Sequence, residues 1–560
     1  VGTIVRVRLG ARIVRGWVEA VAGTAAVPFE RLAPLHRIVG AGPPPDVVAL
    51  AAWAARRWCG PVVTFLRAAS PPRVVPLIGP GVTAAPAPTT GPTDVRLVAW
   101  PPAADRRELV ASLLAPAGST VICSPEVVRL GTLARHLRHR GWEVVEYHGL
   151  LPANERARAW RRIRAGNVVV LGGRLAAWAP VPDLAAVVVL DEGDEALSDE
   201  RAPTWDATDV LTERAGRRGG TVTLIGALPT LRAVVAARGR VRRPPRVVER
   251  AGWPRTEVVD LRETDPAEGL MTGALGAALA AALEAGGRAV CLLNRTGGAR
   301  LLVCPRCGAV ARCDRCGAGL VEGSGGEAGV WCRRCGHGRA AFCASCAHAT
   351  LRRRRPGARR ASELVAALVP GRRVSVVEGA AGPEEPAEVL VGTEAVLHRV
   401  PPGPGVGLVA HLDADIDLLA PRVYALEQAA RLLVRSARLT GPGGRLLVQT
   451  RVPEHPVLEA IRRREPLGVA EAERPARAAL GYPPFGAVAE VRGTPAAVAA
   501  AIEALAATPA TVAGPVTHDD REVALVQAAD PEVLADALAA AAAAARALGG
   551  LRIAVDPKRT

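Results

Sequence analysis

Eight of the eleven cysteines lie between positions 304 and 346, as four Cys-x-x-Cys pairs. They are Cys304/Cys307, Cys313/Cys316, Cys332/Cys335 and Cys343/Cys346. Thiolates so paired hold tetrahedral metal ions, and eight of them suffice for two ions. A glycine directly follows the second cysteine in three pairs (Gly308, Gly317, Gly336), where a tight knuckle turn can aim backbone amides at sulfur. Only five residues separate Cys307 from Cys313, which is short for two knuckles to close one site. A nested arrangement is easier. Cys304, Cys307, Cys343 and Cys346 then form an outer zinc site, and Cys313, Cys316, Cys332 and Cys335 an inner one. Four thiolates close each site, so both ions are expected to be structural rather than catalytic. Disulfides, unliganded core thiols and an iron–sulfur cluster are the competing readings. A reducing cytoplasm is the expected compartment, and there such pairs favour metal. Cys59, Cys123 and Cys291 stand alone in apolar contexts and read as core residues.

The net charge is +17 and the pI is near 10.5. Such a surface suits a polyanion, nucleic acid above all. The positive charge is almost all arginine, so a composition bias that replaces lysine competes with that reading. Lys558 is the only lysine, which excludes any phosphate-cradling GK[ST] loop. Candidate phosphate contacts lie in the basic stretches 238–246, 352–355 and 462–464. Arg352, Arg353, Arg354 and Arg355 are the best of these, because they closely follow the cysteine array. Aromatic residues make up 3% of the chain, too few for a continuous base-stacking platform. No apolar run is long enough for a transmembrane helix. Arg6 and Arg8 interrupt the first apolar stretch, so the start does not resemble a signal peptide. The chain begins at Val1, not Met, and its natural start is expected upstream.

The surrounding elements follow from hydrophobic periodicity. Residues 1–40 alternate apolar and polar and break at Gly10, as short antiparallel strands do. A helix is expected over 47–59, and the stretch rich in Pro, Thr and Ala that follows position 80 reads as a linker. Between 96 and 245, apolar strands at 121–123, 168–171, 185–190 and 221–225 alternate with arginine-rich helical stretches. That alternation predicts a parallel α/β sheet. A second series runs over 255–460, with strands near 289–293, 389–391, 407–412 and 446–449, and the cysteine array interrupts it. The tail, 466–560, reads as a small α+β domain with strands near 488–491 and 523–526.

Leu293-Asn294-Arg295 running into the cysteine array resembles the PriA family of primosomal replication-restart proteins, where an "LNRRG" segment leads into a paired-zinc insertion. Further landmarks agree in order. Gly172–Pro180 is similar to "GTRSALFAP", and Val389–Glu394 to "ILIGTQM". Asp413-Ala414-Asp415 is similar to "DAD", and Gln449-Thr450 with Pro453–Pro456 to "QTHHPEHP". Tyr482–Phe485 matches "YPPF", and Gly514–Val516 and Asp556-Pro557 match later landmarks. The departures cluster at the ATP site. Ala99–Arg106 stands where "GVTGSGKTE" belongs, and "DEEH" has become Asp191-Glu192-Gly193-Asp194. "GSATPS" is Gly226–Thr230, the "KGHDF" segment is lost, and the arginine-finger segment "QVAGRAGR" is reduced to Leu433–Arg438. The basic "PKRGGRY" loop of the C-terminal domain is replaced by Thr517–Glu522.

The resemblance implies an α/β protein with two degenerate RecA-like helicase-type lobes, closest to the helicase-deficient actinobacterial members. Residues 1–44 would be a truncated 3′-DNA-end-binding β domain, 45–80 a winged-helix-like region and 81–95 a linker. Lobe 1 would span 96–248, and lobe 2 would span 249–300 and 350–462 around a two-zinc insertion at 301–349. Residues 466–560 would be the C-terminal α+β domain. The expected function is fork-recognising DNA binding in replication restart. Two structural Zn²⁺ ions, no ATP requirement and no catalytic residues go with it. Expected partners are branched forks, single-strand/duplex junctions and primosome or replisome proteins, in a cytoplasmic, nucleoid-associated setting without membrane. An active 3′–5′ helicase and a zinc-module protein adaptor are the rival readings.

Overall fold

The computed structural model describes residues 1–24, 28–77, 93–265, 268–293, 301–322, 329–332, 334, 336–353, 358–377, 387–400, 405–441, 443–518 and 521–558. The expected linker falls outside them up to position 92, as do Asn294, Arg295 and Cys335.

Two parallel sheets form the centre. The first has seven strands in the order Val241–Arg242, Asp94–Ala99, Thr221–Gly226, Leu184–Leu190, Ser119–Cys123, Val169–Gly172 and Val144–Glu146. The second has six, in the order Arg255–Asp260, Arg445–Thr450, Val406–His411, Arg288–Leu292, Val389–Gly392 and Val374–Val377. The inner strands are nearly continuous apolar runs because helices cover both faces of a parallel sheet. The strands expected from sequence lie within two residues of those observed. The edge strands Val144–Glu146, Val241–Arg242 and Val374–Val377, and the half-polar Arg255–Asp260, were not expected from the pattern. They are short or part polar, so periodicity marks them weakly.

Residues 1–40 form a three-stranded antiparallel sheet with Ile4–Leu9 between Arg12–Trp17 and Arg37–Gly40. Two helices follow, Pro45–Arg57 and Val62–Ala69. Their apolar faces share one core with the first sheet and the C-terminal sheet. Trp58, Phe65, Trp178 and Trp205 run through it as successive ring contacts of 6.4, 5.6 and 5.5 Å. The C-terminal domain is an antiparallel sheet in the order Thr511–His518, Arg521–Ala528, Ala487–Gly493 and Arg552–Val555, backed by helices Pro495–Leu505 and Pro531–Ala544.

The chain's end is pinned where these parts meet. Lys558 Nζ lies 3.5 Å from Asp206 of the first sheet's layer and 5.9 Å from the Tyr424 ring. Its carbonyl accepts from Gln428 Nε2 at 2.5 Å. Among the described residues no helix is long and apolar enough to cross a membrane.

Candidate metal centre and cleft between the sheets

Along the chain, the cysteine array stands between two strands of the second sheet, Arg288–Leu292 and Val374–Val377. Its base is a short antiparallel pair, Leu302–Val303 with Arg352–Arg353. One backbone hydrogen bond recurs four times along the array. The amides of Gly308, Gly317, Gly336 and Ala347 donate to the carbonyls of Cys304, Cys313, Cys332 and Cys343 at 2.8–3.0 Å. These four residues all take positive φ, between 55° and 72°. Glycine does this at no cost, whereas Ala347 does it against its Cβ.

The turns bring Cys304, Cys307, Cys343 and Cys346 together, with all four sulfurs within 4.8 Å of one another. Cys313, Cys316 and Cys332 form a second such group, and Cys335 lies outside the described residues. Sulfur–sulfur distances are 3.6 Å for Cys304–Cys346, 3.6 Å for Cys307–Cys343 and 3.4 Å for Cys316–Cys332. A tetrahedron with Zn–S of about 2.3 Å has an edge of about 3.8 Å, so the donor sets fit zinc. A small core of Leu302, Ala311, Ala318, Leu320 and Val330 lies beside the second group. The Gly319 amide donates to the Leu419 carbonyl at 2.9 Å, and Arg312 lies 3.6 Å from Glu454, which seats the module on the second sheet's layer.

The cleft between the sheets holds Asp191–Asp194 and Leu433–Arg438, the segments that resemble ATP-site motifs in sequence. Asp191 and Glu192 follow the strand Leu184–Leu190, at its carboxyl end. Facing them is the helix Ala425–Thr440. Its residues Glu427, Arg431, Arg435 and Arg438 are spaced by four, four and three, and so share one face. Arg438 grips Asp191 with two nitrogens at 2.6 and 2.9 Å, Glu126 at 3.0 Å and the Pro102 carbonyl at 3.2 Å. Arg106 donates to the same Asp191 carboxylate at 2.7 Å. Arg435 pairs with Asp194 at 2.7 Å and with Glu394, and Arg431 donates to the Gly193 carbonyl. Glu427 accepts from the Leu231 amide at 3.1 Å.

Burial alone would raise the Asp191 carboxyl, but Arg106 and Arg438 outweigh it and hold it well below the usual carboxylate range. Asp194 is lowered in the same way, its burial outweighed by Arg435 and Arg431. Glu192, one residue from Asp191, goes the other way. Burial pushes it up to about 7, against the Thr230 hydrogen bonds and Arg431. It accepts from the amide and the hydroxyl of Thr230, both at 2.9 Å. A Cβ at Gly193 would come within 2.5 Å of Thr230 and 2.8 Å of Arg431. The space beside Glu192 therefore belongs to an arginine from the other side of the cleft.

No amide of residues 100–104 is left for a phosphate. Trp100 donates to the Gly226 carbonyl at 2.9 Å, Ala103 to Gly252 at 3.0 Å and Ala104 to Pro101 at 3.3 Å. Pro101 and Pro102 carry no N–H. On sequence, Leu433–Arg438 is a reduced finger motif, yet Arg435 and Arg438 both cross the cleft. Sequence reasoning missed the roles of Arg106, Glu126, Glu427 and Arg431. The spacing of 427, 431, 435 and 438 was the available signal.

Of the DNA candidates, Arg352 is exposed on its short strand. The Arg353 side chain, Arg354 and Arg355 lie outside the described residues. A groove of about 1430 Å³ opens beside the cleft. It is bounded by Arg15 and Arg67 from the N-terminal region, Arg174 from the first sheet's layer and Glu394 and Arg435 from the second.

Comparison with known proteins adds the family. The model of the 3′ DNA-binding domain (3′BD) matches residues 1–71, and that of the primosomal protein N C-terminal domain matches 478–558. The probable replication restart protein PriA of Deinococcus radiodurans is 31% identical over 422 residues, 68% of this chain and 44% of that protein. The protein of the same description from Mycobacterium tuberculosis is 31% identical over 429 residues, 72% of this chain and 64% of that one. The chain thus spans less than two thirds of either relative. Saccharomyces cerevisiae Dbp5, solved bound to RNA and ADP BeF3, gives a TM-score of 0.35 at 10% identity, over 70% of this chain and 90% of that one. With matches at both of its ends and relatives that align over two thirds of its length, this chain belongs to the PriA replication-restart family.

Proposed function

We propose that this protein binds stalled or branched replication forks and helps reload the replication machinery as a scaffold that uses no nucleotide. In this reading the parallel sheets are helicase-type lobes without a motor, lobe 1 over 96–248 and lobe 2 over 249–300 and 350–462. Residues 1–44 and 45–80 contribute DNA binding, and 466–560 close the assembly. Cys304, Cys307, Cys343 and Cys346 would hold one zinc ion, and Cys313, Cys316, Cys332 and Cys335 the other. The ions supply structural cross-links and no chemistry. Arg352 to Arg355 would add phosphate contacts beside that module.

One observation carries the motorless reading: Asp191 already holds Arg106 and Arg438. Phosphoryl transfer works by placing metal and cations around a triphosphate. Here the carboxylate that would orient the metal is spent on the protein's own cations. A phosphate cradle also needs a run of free amides, and residues 100–104 offer none. Freeing Asp191 would strand charge inside the cleft, at a cost of about 3 kcal/mol or more. The match to the 3′ DNA-binding domain and the likeness to replication restart proteins support DNA binding in replication restart. A cytoplasmic, nucleoid-associated setting with primosome or replisome partners follows from that role.

The test pairs two assays on purified, zinc-loaded protein with a model fork. Fork binding that weakens with salt is expected, with no ATP hydrolysis above a protein-free blank. Fork-stimulated hydrolysis would overturn the motorless reading. Equal affinity for fork and plain duplex would overturn fork recognition.

A further inference from the structure

Strand Ile4–Leu9 pairs with Arg12–Trp17 so that Arg6 lies directly opposite Arg15. Like charges opposed across a strand pair repel. No carboxylate lies within ion-pair distance of either residue, nor of Arg67 or Arg73, among the described residues. This is unlike the cleft, where Arg106, Arg435 and Arg438 are all paired. Arg15 is nevertheless held in place. Its guanidinium sits 5.4 Å from the centre of the Trp17 ring, and the indole N–H donates to Ser70 Oγ at 2.8 Å. The Ser70 hydroxyl in turn donates to the Leu66 carbonyl at 2.7 Å, which ties strand to helix. Arg15 therefore presents its nitrogens from a fixed aromatic platform.

Its position is distinctive. Arg15 and Pro72 line both the groove of about 1430 Å³ and a second cavity of about 540 Å³. Arg67 lines the groove, while Arg6 and Arg73 line the second cavity. Among the described residues, the only charged ones lining the second cavity are Arg6, Arg15 and Arg73. The groove carries carboxylates as well. Glu126, Asp194, Asp199 and Glu394 are each engaged by an arginine and Glu195 by Gln428, and Glu200 lines the groove as well. Burial, then Arg67, then Arg6 lower the Arg15 pKa, as expected where cations crowd without an anion.

The geometry points to a phosphate-binding track made by Arg6, Arg15, Arg67 and Arg73, on which one DNA strand passes from the groove to the N-terminal sheet. It rests on the DNA-binding reading above and adds a route and its residues. The groove and the second cavity meet at Arg15 and Pro72, and all four arginines are exposed, so an extended single strand can lie along both. Each phosphate seated between two guanidiniums relieves the cross-strand repulsion and releases counterions.

The test measures binding of a single-stranded oligonucleotide and of the fork by the wild-type chain and by R15A/R67A, across a salt series. The double variant is expected to weaken single-strand binding about tenfold at low salt and to flatten the salt slope by about 0.7 for each phosphate no longer held. A control, R521A/R546A, removes two exposed arginines of the C-terminal domain and is expected to leave the slope unchanged. Unchanged far-UV spectra and zinc content would show that both variants fold. If wild-type protein binds the fork and R15A/R67A matches it in affinity and slope, the track is wrong and the DNA-binding reading stands. If wild-type protein binds neither DNA, both fall. Equal losses in the control and in R15A/R67A would reduce the effect to net charge and overturn the track.

Discussion

The cysteine array and the cleft both gather reactive side chains, and leave them in opposite states. In the array, seven described thiols converge in two groups, one of four and one of three. In the cleft, Asp191 and Asp194 each hold an arginine and Glu192 holds both donors of Thr230. The array is grouped as a donor set that could hold ions. The cleft supplies its own counter-ions. A site's residues can thus persist in two ways: as a set of donors grouped for an ion, or as partners of one another.

The largest expected effect is metal removal. Structural zinc is worth about 10–16 kcal/mol of apparent binding energy, so a strong chelator should unfold the module while leaving both parallel sheets intact. Hydrogen exchange across 301–353 against that of 184–190 checks this. Cys304→Ser and Cys316→Ser are each expected to lose one metal equivalent of two, and loss of both ions from either variant would merge the two sites into one.

Next in size is the cleft. Arg438→Ala leaves Asp191 with Arg106 alone and Glu126 with Arg129, and should cost about 3 kcal/mol in urea unfolding. Combining Asp191→Asn with Arg438→Gln should show a coupling energy of about 1 kcal/mol or more. Strict additivity would mean that the pair does not act as a latch.

Glu192 sharpens the contrast within the cleft. Its folded pKa of about 7 lies above the ordinary 4.5, so the folded state binds the proton more tightly. Its contribution to stability is complete below about 4.5 and is lost as pH rises to about 7. Glu192→Gln keeps the Thr230 contacts without that proton. At pH 8 it should be more stable than wild type by about 3 kcal/mol, and the difference should vanish near pH 4.5. Asp191 titrates with the opposite sign, its stabilisation being present above about 3.8 and lost as pH falls further.

The smallest effect belongs to Ala347. It takes φ of 55°, where the other three knuckles place glycine. Ala347→Gly removes about 1 kcal/mol of strain, partly offset by the freer unfolded chain. The expected outcome is slightly tighter metal retention in a chelator competition.

These sites differ in how much the sequence disclosed. Cysteine spacing is local, and so are the knuckle turns, so the grouping of Cys304 with Cys343 and of Cys313 with Cys332 could be reasoned from gap lengths. Inner strands such as Leu184–Leu190 announce themselves because both faces are buried. The latch was hidden, because Arg438 and Asp191 stand 247 positions apart and neither has a local signature. Pro101 and Pro102 were visible, but the capture of the Trp100 and Ala103 amides was not. The pairing of Arg6 with Arg15 depends on strand register, which alternation alone leaves open.

The pinned end has a practical consequence. Lys558 is the only lysine, and its amine touches Asp206 and Tyr424 where the two sheet layers and the C-terminal domain meet. An amine-directed reagent has a single side-chain target in this sequence, and acylation there removes the charge that faces Asp206. The rate of that one modification is a built-in gauge of whether the three-way joint is shut.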